Sequence, residues 1–191
     1  MTDPSAVFPM VILETDRLIM RAFTDADIED VYLTVSHPST QTWLPLPAPG
    51  RTYTLADATE WCRVEAPAAR ASGDGQQWAV LERGTGDFVG ACGLVRTLWR
   101  AQVTEVGYWV APWQRGKGYA PEAVTAVARW TMRDLGFQRL ELKAAVENTA
   151  SRRVAEKAGF VYEGTERNAM PLHEGRTDLA VYSLIPADVR W

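Results

Sequence analysis

The stretch Gly107-Tyr108-Trp109-Val110-Ala111-Pro112-Trp113-Gln114-Arg115-Gly116-Lys117-Gly118-Tyr119-Ala120-Pro121-Glu122-Ala123 decides how the chain is read. A strand, 103–110, sets Val106, Tyr108 and Val110 in alternation with Glu105, Gly107 and Trp109 and runs into a short loop. A helix begins behind the second glycine of that loop. Glycine lacks a Cβ, so Gly116 and Gly118 let the backbone turn tightly and come close to a ligand. The helix they feed presents N–H groups without intrahelical partners and the positive end of its dipole, which suits an anionic pyrophosphate. Arg115 and Lys117 add full charges at the same spot.

Three phosphate-loop patterns compete for this segment. A nucleoside-triphosphate loop needs Ser or Thr after Gly-Lys, and Lys117 is followed by Gly118. A dinucleotide fold needs a third glycine and further βαβ repeats, and here Pro121 follows and antiparallel strands precede. What remains, Arg115-x-x-Gly118-x-Ala120, resembles the pyrophosphate loop of acetyltransferases. The plain alternative is a glycine-rich turn that caps a surface helix.

Working outward, 77–81 and 88–95 read as strands joined by the hairpin signal Gly84-Thr85-Gly86-Asp87. With 103–110 they predict an antiparallel meander. Past the loop, a helix to about Leu135 has Pro121 in its first turn. Its inner stripe is Val124, Val127, Ala128, Thr131 and Leu135, and Gly136-Phe137 stops it. The next strand, 139–146, completes a parallel βαβ unit with 103–110 and the crossover helix. A short helix over 148–158 has Gly159 at its C′ position. Strands 160–168 and 178–185 flank a loop around His173-Glu174-Gly175. Near the start, 17–21 reads as a strand, and Thr24-Asp25-Ala26-Asp27 offers N-cap chemistry to a helix bearing Ile28, Val31, Tyr32 and Val35. His37-Pro38 ends that helix. After the proline-rich loop 44–50, a second helix is predicted over 55–71. The predicted class is α+β: a mixed, mostly antiparallel sheet opened by one parallel junction and flanked by helices.

The chain has 191 residues, 47% apolar and 23% charged, which suits one globular domain across 1–191. Its 24 acidic and 20 basic residues leave a net charge of -4, against duplex nucleic acid as a partner. No apolar run approaches the ~18 residues of a membrane span. The Met1-Thr2-Asp3-Pro4 opening lacks the basic segment of a secretory signal, so a cytoplasmic location is expected. Cys62 and Cys92 cannot build a disulfide framework, and no metal-ligand spacing is present, so no metal is expected. Eight tryptophans are many for this length; most are expected in the core, and large aromatics also suit a concave ligand site.

Thr104-Glu105-Val106-Gly107-Tyr108-Trp109-Val110, the loop, and Val146-Glu147-Asn148-Thr149-Ala150-Ser151 with Ala158-Gly159-Phe160 together resemble the GNAT superfamily, and within it the RimJ/RimL-like branch. The opening Glu14-Thr15-Asp16-Arg17-Leu18-Ile19-Met20-Arg21 matches that branch too, so the resemblance spans about residues 13–185. It implies that 103–110 splays from 139–146 around the pantetheine arm of acetyl-coenzyme A, with the backbone of Trp109 and Val110 pairing with that arm. The amides of Arg115, Gly116, Lys117, Gly118, Tyr119 and Ala120 are expected to hold the pyrophosphate. Asn148 is expected near the thioester, with a plain helix N-cap as its other role. Arg152 or Arg153 either approaches the 3′-phosphate or lies on a solvated face, Arg152 then pairing with Glu156.

The implied reaction moves an acetyl group from acetyl-coenzyme A to a primary amine by direct attack in a ternary complex. The amine is a peptide N-terminus or a small molecule such as an antibiotic or polyamine; a non-catalytic acyl-coenzyme A sensor is the reading from another class. The expected partners are that cofactor and acceptor, with a homodimer compatible and neither nucleic acid nor membrane involved. A protonated amine needs a base, and Glu105 is the candidate, a strand-surface ion pair being its other reading. The Val110 N–H is the expected oxyanion donor. Many GNAT enzymes carry a Tyr acid where this chain has Ala155. Ser151 could hydrogen-bond the sulfur or be an idle helix-face residue, and Tyr108, Tyr119 and Tyr162 are phenols that sequence cannot place. Cys92 reads as a buried strand residue without a base beside it. His37 and His173 read as loop histidines, and the Trp43-Leu44-Pro45 region and the last hairpin are expected to frame the acceptor groove.

Overall fold

The computed structural model describes residues 7–189; residues 1–6 and 190–191 lie outside the described residues, and with them the Met1–Pro4 opening. In chain order the elements are β1 (Leu13–Glu14), β2 (Leu18–Arg21), α1 (Ile28–Val35), α2 (Pro38–Gln41), α3 (Leu55–Glu60), α4 (Ala66–Ser72), β3 (Gln76–Glu82), β4 (Phe88–Leu98), β5 (Val103–Val110), α5 (Tyr119–Arg133), β6 (Arg139–Ala145), α6 (Thr149–Lys157), β7 (Val161–Pro171) and β8 (Arg176–Leu184). The strands form one eight-stranded sheet in the order β1-β2-β3-β4-β5-β6-β8-β7. Every described pairing is antiparallel except β5 with β6. The predicted α+β class and its one parallel junction are what the sheet shows.

Local chemistry sets the helix starts. Thr24, in the stretch expected to supply N-cap chemistry, forms a capping box with Asp27, the Asp27 carboxylate accepting from the Thr24 N–H at 2.7 Å. Arg21 then closes a bidentate pair on Asp27 at 2.7 and 2.9 Å. Burial raises the Asp27 pKa, but the bonds from Arg21 and Thr24 outweigh it and hold the carboxyl below its ordinary value. Four local features differ from the sequence reading. The chain continues past His37 into α2, because the His37 ring accepts from the Ser39 N–H and Pro38 fits a first turn. The predicted helix over 55–71 carries a π turn at Trp61–Glu65 between α3 and α4. The closing hairpin is longer than predicted, and Leu135 is only half-buried beyond the end of α5.

Each face of the sheet has its own core. Trp78, Leu94, Val106, Leu140 and Leu142 pack under α5 and α6 with Val124 and Val127. On the other face Ala79 and Phe88 pack under α1 and α3 with Val31, Val35 and Ala58. The parallel pairing is short: Val103 lies opposite Arg139, Thr104 opposite Leu140 and Glu105 opposite Glu141. Beyond that, β5 stays paired with β4 as far as Val110, and β6 stays paired with β8 as far as Ala145. The two strands part while each is held from behind, so the gap is a fixed feature.

Gly90 permits the close approach of β4 to the end of β5. Its φ is +153°, and a Cβ there would meet the Trp109 carbonyl oxygen at 2.2 Å. Gly90→Ala is expected to destabilise the fold by about 2–3 kcal/mol, the scale of forced overpacking. Urea denaturation of the variant beside the parent checks this.

Candidate active site

Ladder phase determines which main-chain groups face the gap. The Ala111 N–H donates to the Val89 carbonyl at 2.9 Å. Antiparallel alternation then turns the odd positions of β5 toward β4 and the peptide groups of Val106, Tyr108 and Val110 toward the gap. On the facing wall, the Val146 N–H donates to the Asp178 carbonyl at 3.0 Å, which leaves the peptide groups of Lys143 and Ala145 toward the gap. The backbone of Trp109, expected to face the cofactor, therefore faces β4, and its side chain lines the cavity instead. Arg115 Nε donates to the Val110 carbonyl at 3.1 Å, so Val110 keeps its N–H for the gap. The gap opens into a cavity of about 630 Å³.

The glycine loop lies at the mouth of that cavity. Gly116 and Gly118 adopt φ of +80° and +82°, and Gly118 is the N-cap of α5. Arg17, which sequence reasoning missed, holds the loop from outside. Its guanidinium donates to the Lys117 carbonyl at 3.0 Å and the Gly118 carbonyl at 3.4 Å and pairs with Glu122 at 2.5 Å. A trans peptide points its N–H opposite to its carbonyl. With those carbonyls turned to Arg17, the N–H groups of Gly118 and Tyr119 point away from it. Thr15 also donates to Glu122, at 2.5 Å, and the Arg17 guanidinium sits 5.0 Å over the Tyr119 ring. No sequence signal marks this cluster, since Arg17 and Glu122 are 105 positions apart.

The two cations of the loop are engaged elsewhere than expected. The Arg115 guanidinium donates to the Ser39 and Thr40 hydroxyls of α2, both at 2.8 Å. The fork satisfies α2 hydroxyls and a strand carbonyl together, which a single phosphate contact would not. Lys117 Nζ donates to Gln114 Oε1 at 2.6 Å. Toward an anion the loop presents its amides and the N-terminal end of a 15-residue helix, with the charges of Arg115 and Lys117, bonded to neutral partners, close by.

Glu105 stands on the wall of the cavity with its side chain 15% exposed, and it accepts from Arg96 at 2.8 Å. Glu105 is thus in a strand-surface ion pair and also borders the gap. Burial pushes its pKa above the ordinary value, against the opposing pull of Arg96 and Lys143. Alternation along β5 puts Glu105 and Trp109 on the face toward α1 and α3, and Tyr108 on the other face.

Across the gap, Asn148 caps α6, its Oδ1 accepting from the Ser151 N–H at 3.0 Å, and it also lines the cavity. The Ser151 hydroxyl and the Tyr108 phenol are 2.8 Å apart. Burial pushes the phenol up to about 12, with the Ser151 bond pulling the other way, so it stays protonated at neutral pH. Ala155 is fully buried. A phenol that α6 does not supply thus arrives from β5. Tyr162 is half-exposed against Thr165 and Tyr182, outside the cavity. Arg152 takes neither expected role: it donates to the Tyr182 hydroxyl at 3.0 Å and to the Val146 carbonyl at 3.3 Å. Arg153 is exposed at the cavity edge. Cys92 is buried, and burial pushes its thiol up to about 12. Trp43, Leu44 and Met170 line the cavity, whereas His173 and Glu174 do not. Among the described residues, no group of three or more His, Cys, Asp and Glu could hold a metal ion, and no helix is long and apolar enough to cross a membrane.

A parted parallel junction, a glycine-turned helix entrance at its mouth and a carboxylate on its wall define an acyl-coenzyme A transferase architecture. The chain belongs to the acetyltransferase (GNAT) domain family, which matches residues 17–161 and uses acetyl-coenzyme A as co-substrate. It is 29% identical to the uncharacterised N-acetyltransferase YoaA of Bacillus subtilis over 94% of this chain and 98% of that one. Two solved structures share the fold at a TM-score of 0.81. One is RimL, a ribosomal L7/L12 alpha-N-protein acetyltransferase in complex with coenzyme A, 18% identical and covering 92% of this chain and 98% of that one. The other is RimJ of Mycobacterium smegmatis with a coenzyme A disulfide, 20% identical and covering 91% and 84%.

The residues present fit a diphosphate carried on an extended arm: free amides at the mouth, unpaired strand edges within. Arg17→Met should weaken coenzyme A binding about five-fold, roughly 1 kcal/mol. Because Arg17 is half-exposed, thermal stability should change little. Calorimetric titration with coenzyme A and a melting curve read the two effects separately.

Proposed function

We propose that this chain, acting as one catalytic domain in the cytoplasm, transfers an acetyl group from acetyl-coenzyme A to a primary amine, the N-terminal α-amine of a protein or peptide. The half-buried Glu105 carboxylate, bordering the gap where β5 and β6 part, carries this reading. The likeness to RimL, a ribosomal L7/L12 alpha-N-protein acetyltransferase, supports the choice of acceptor.

In the proposed reaction Glu105 takes the proton from the entering ammonium, directly or through water. The amine nitrogen attacks the thioester carbonyl, and the Val110 N–H meets the oxyanion. The C–N bond forms and the C–S bond breaks; the nitrogen gives up its second proton to solvent water, and the thiolate leaves toward the Ser151 and Tyr108 hydroxyls. A phenol at about 12 lies above a thiol near ~8.5. Full proton transfer from Tyr108 is therefore uphill by about 5 kcal/mol, at 1.36 per unit. Tyr108 and Ser151 act as hydrogen-bond donors to a sulfur that leaves as its anion. Proton acceptor and sulfur donors stand on opposite faces of the sheet, so amine entry and thiolate exit do not collide.

Glu105→Gln should lower kcat about 100-fold, the lower range for loss of a general base. In the parent, the acidic limb of kcat/KM should lie above the ordinary carboxylate range. Arg96→Met removes the cation that opposes burial, so the carboxyl pKa rises and the limb moves to higher pH. Tyr108→Phe should reduce kcat without moving either limb. Thiol release from acetyl-coenzyme A with a set of N-terminal peptides, followed across pH, measures all three. Coenzyme A binding with no thiol release on any amine would refute the proposal.

A further inference from the structure

The acceptor side of the cavity has a chemistry of its own. On the Glu105 face, Trp43, Leu44, Leu46, Trp61 and Trp109 line it. Two of these rings are backed by other aromatics, so they present fixed surfaces. Trp109 lies 5.9 Å from Phe88 at 44°, and Trp61 meets Phe23 edge-on at 6.2 Å and 77°. Leu44, Leu46, Trp61 and Trp109 are partly buried against the core cluster that holds Val31, Val35 and Tyr53, which limits their freedom to swing away.

Charge narrows the choice further. Glu105 is the one carboxylate among the residues lining the cavity, which also include Arg115, Lys143, Arg153 and Lys157. Lys143 pairs with Glu166 at 2.7 Å and Arg115 is committed to α2. One carboxylate can receive one ammonium. A polyamine or aminoglycoside would bring several more cations to a wall of rings that holds no second carboxylate to pair them.

Resting on the transfer reaction above, we infer that the acceptor is a monocationic amine bearing a bulky apolar, preferably aromatic, group beside the amine, seated among Trp43, Trp61 and Trp109. Its ammonium meets Glu105, and its ring lies on the indole faces, where offset or edge contacts add to the burial of apolar surface. Two sources share this chemistry: a peptide whose first residue is aromatic, and a free arylalkylamine.

The test is steady-state acetylation of peptides that differ only in their first residue (Phe, Trp, Leu, Ser, Asp), beside phenethylamine, tryptamine and spermidine. Phe- and Trp-initiated peptides, or the two free arylalkylamines, should exceed Ser and Asp in kcat/KM by about ten-fold or more, the worth of burying one large side chain. Spermidine should be the poorest. Trp43→Ala and Trp61→Ala should each raise KM for aromatic acceptors and lower the Phe-over-Ser ratio of kcat/KM about five-fold or more, and Trp61→Phe should restore most of that ratio. The Trp43 variant keeps the test informative if Trp61→Ala misfolds. Equal rates on Ser and Phe peptides, preferred turnover of spermidine, or an aromatic preference that survives both alanine variants would overturn the inference while leaving amine acetylation standing. Absence of turnover on every amine, with coenzyme A still bound, would remove the proposed reaction and this inference together.

Discussion

A buried peptide group without a hydrogen-bond partner costs about 1–3 kcal/mol, and a sheet normally removes that cost by pairing neighbours. Here β5 and β6 pair for three residues and then part, leaving the Tyr108 and Val110 peptide groups on one side and those of Lys143 and Ala145 on the other. The protein tolerates those open edges because β4 and β8 hold the two strands from behind. An extended chain with its own amides can complete the ladders. The loop, its anion-binding helix end and the residues on either face take their meaning from that opening.

The gap also sorts the chemistry by side. Residues one apart on β5 look to opposite faces, so Glu105 and Trp109 belong with α1 and α3 while Tyr108 belongs with α6. The apolar second core holds Leu44, Leu46, Trp61 and Trp109 in place. The Tyr108–Ser151 contact ties β5 to the capped start of α6. A single strand thereby sets the distance between two groups with unlike tasks.

Much of the fold was legible because its signals are local. The β3–β4 hairpin, the strand 103–110, the Pro121 start and Gly136 stop of α5, and the Thr24–Asp27 box all depend on residues within a few positions of each other. What stayed hidden depends on distance in the chain. Arg17 clamps the loop through Glu122, a partner more than a hundred positions away. Arg115 looked like a phosphate ligand, and only the folded position of α2 shows that Ser39 and Thr40 claim it. Three phenols could have met Ser151; that Tyr108 does so follows from the strand and helix packing. The direction of the Trp109 backbone required the ladder phase, which alternation alone leaves undetermined by one residue.

The Arg17–Glu122 clamp has a consequence for biogenesis. Closing a contact between positions this far apart carries a substantial loop entropy, and it forms only after β2 and the start of α5 are brought together. Arg17 is made long before the glycine loop, and the strap on that loop closes only when β2 and the start of α5 have docked. Any ligand that binds only the strapped loop stabilises the folded chain by mass action, in proportion to the logarithm of its concentration over its dissociation constant.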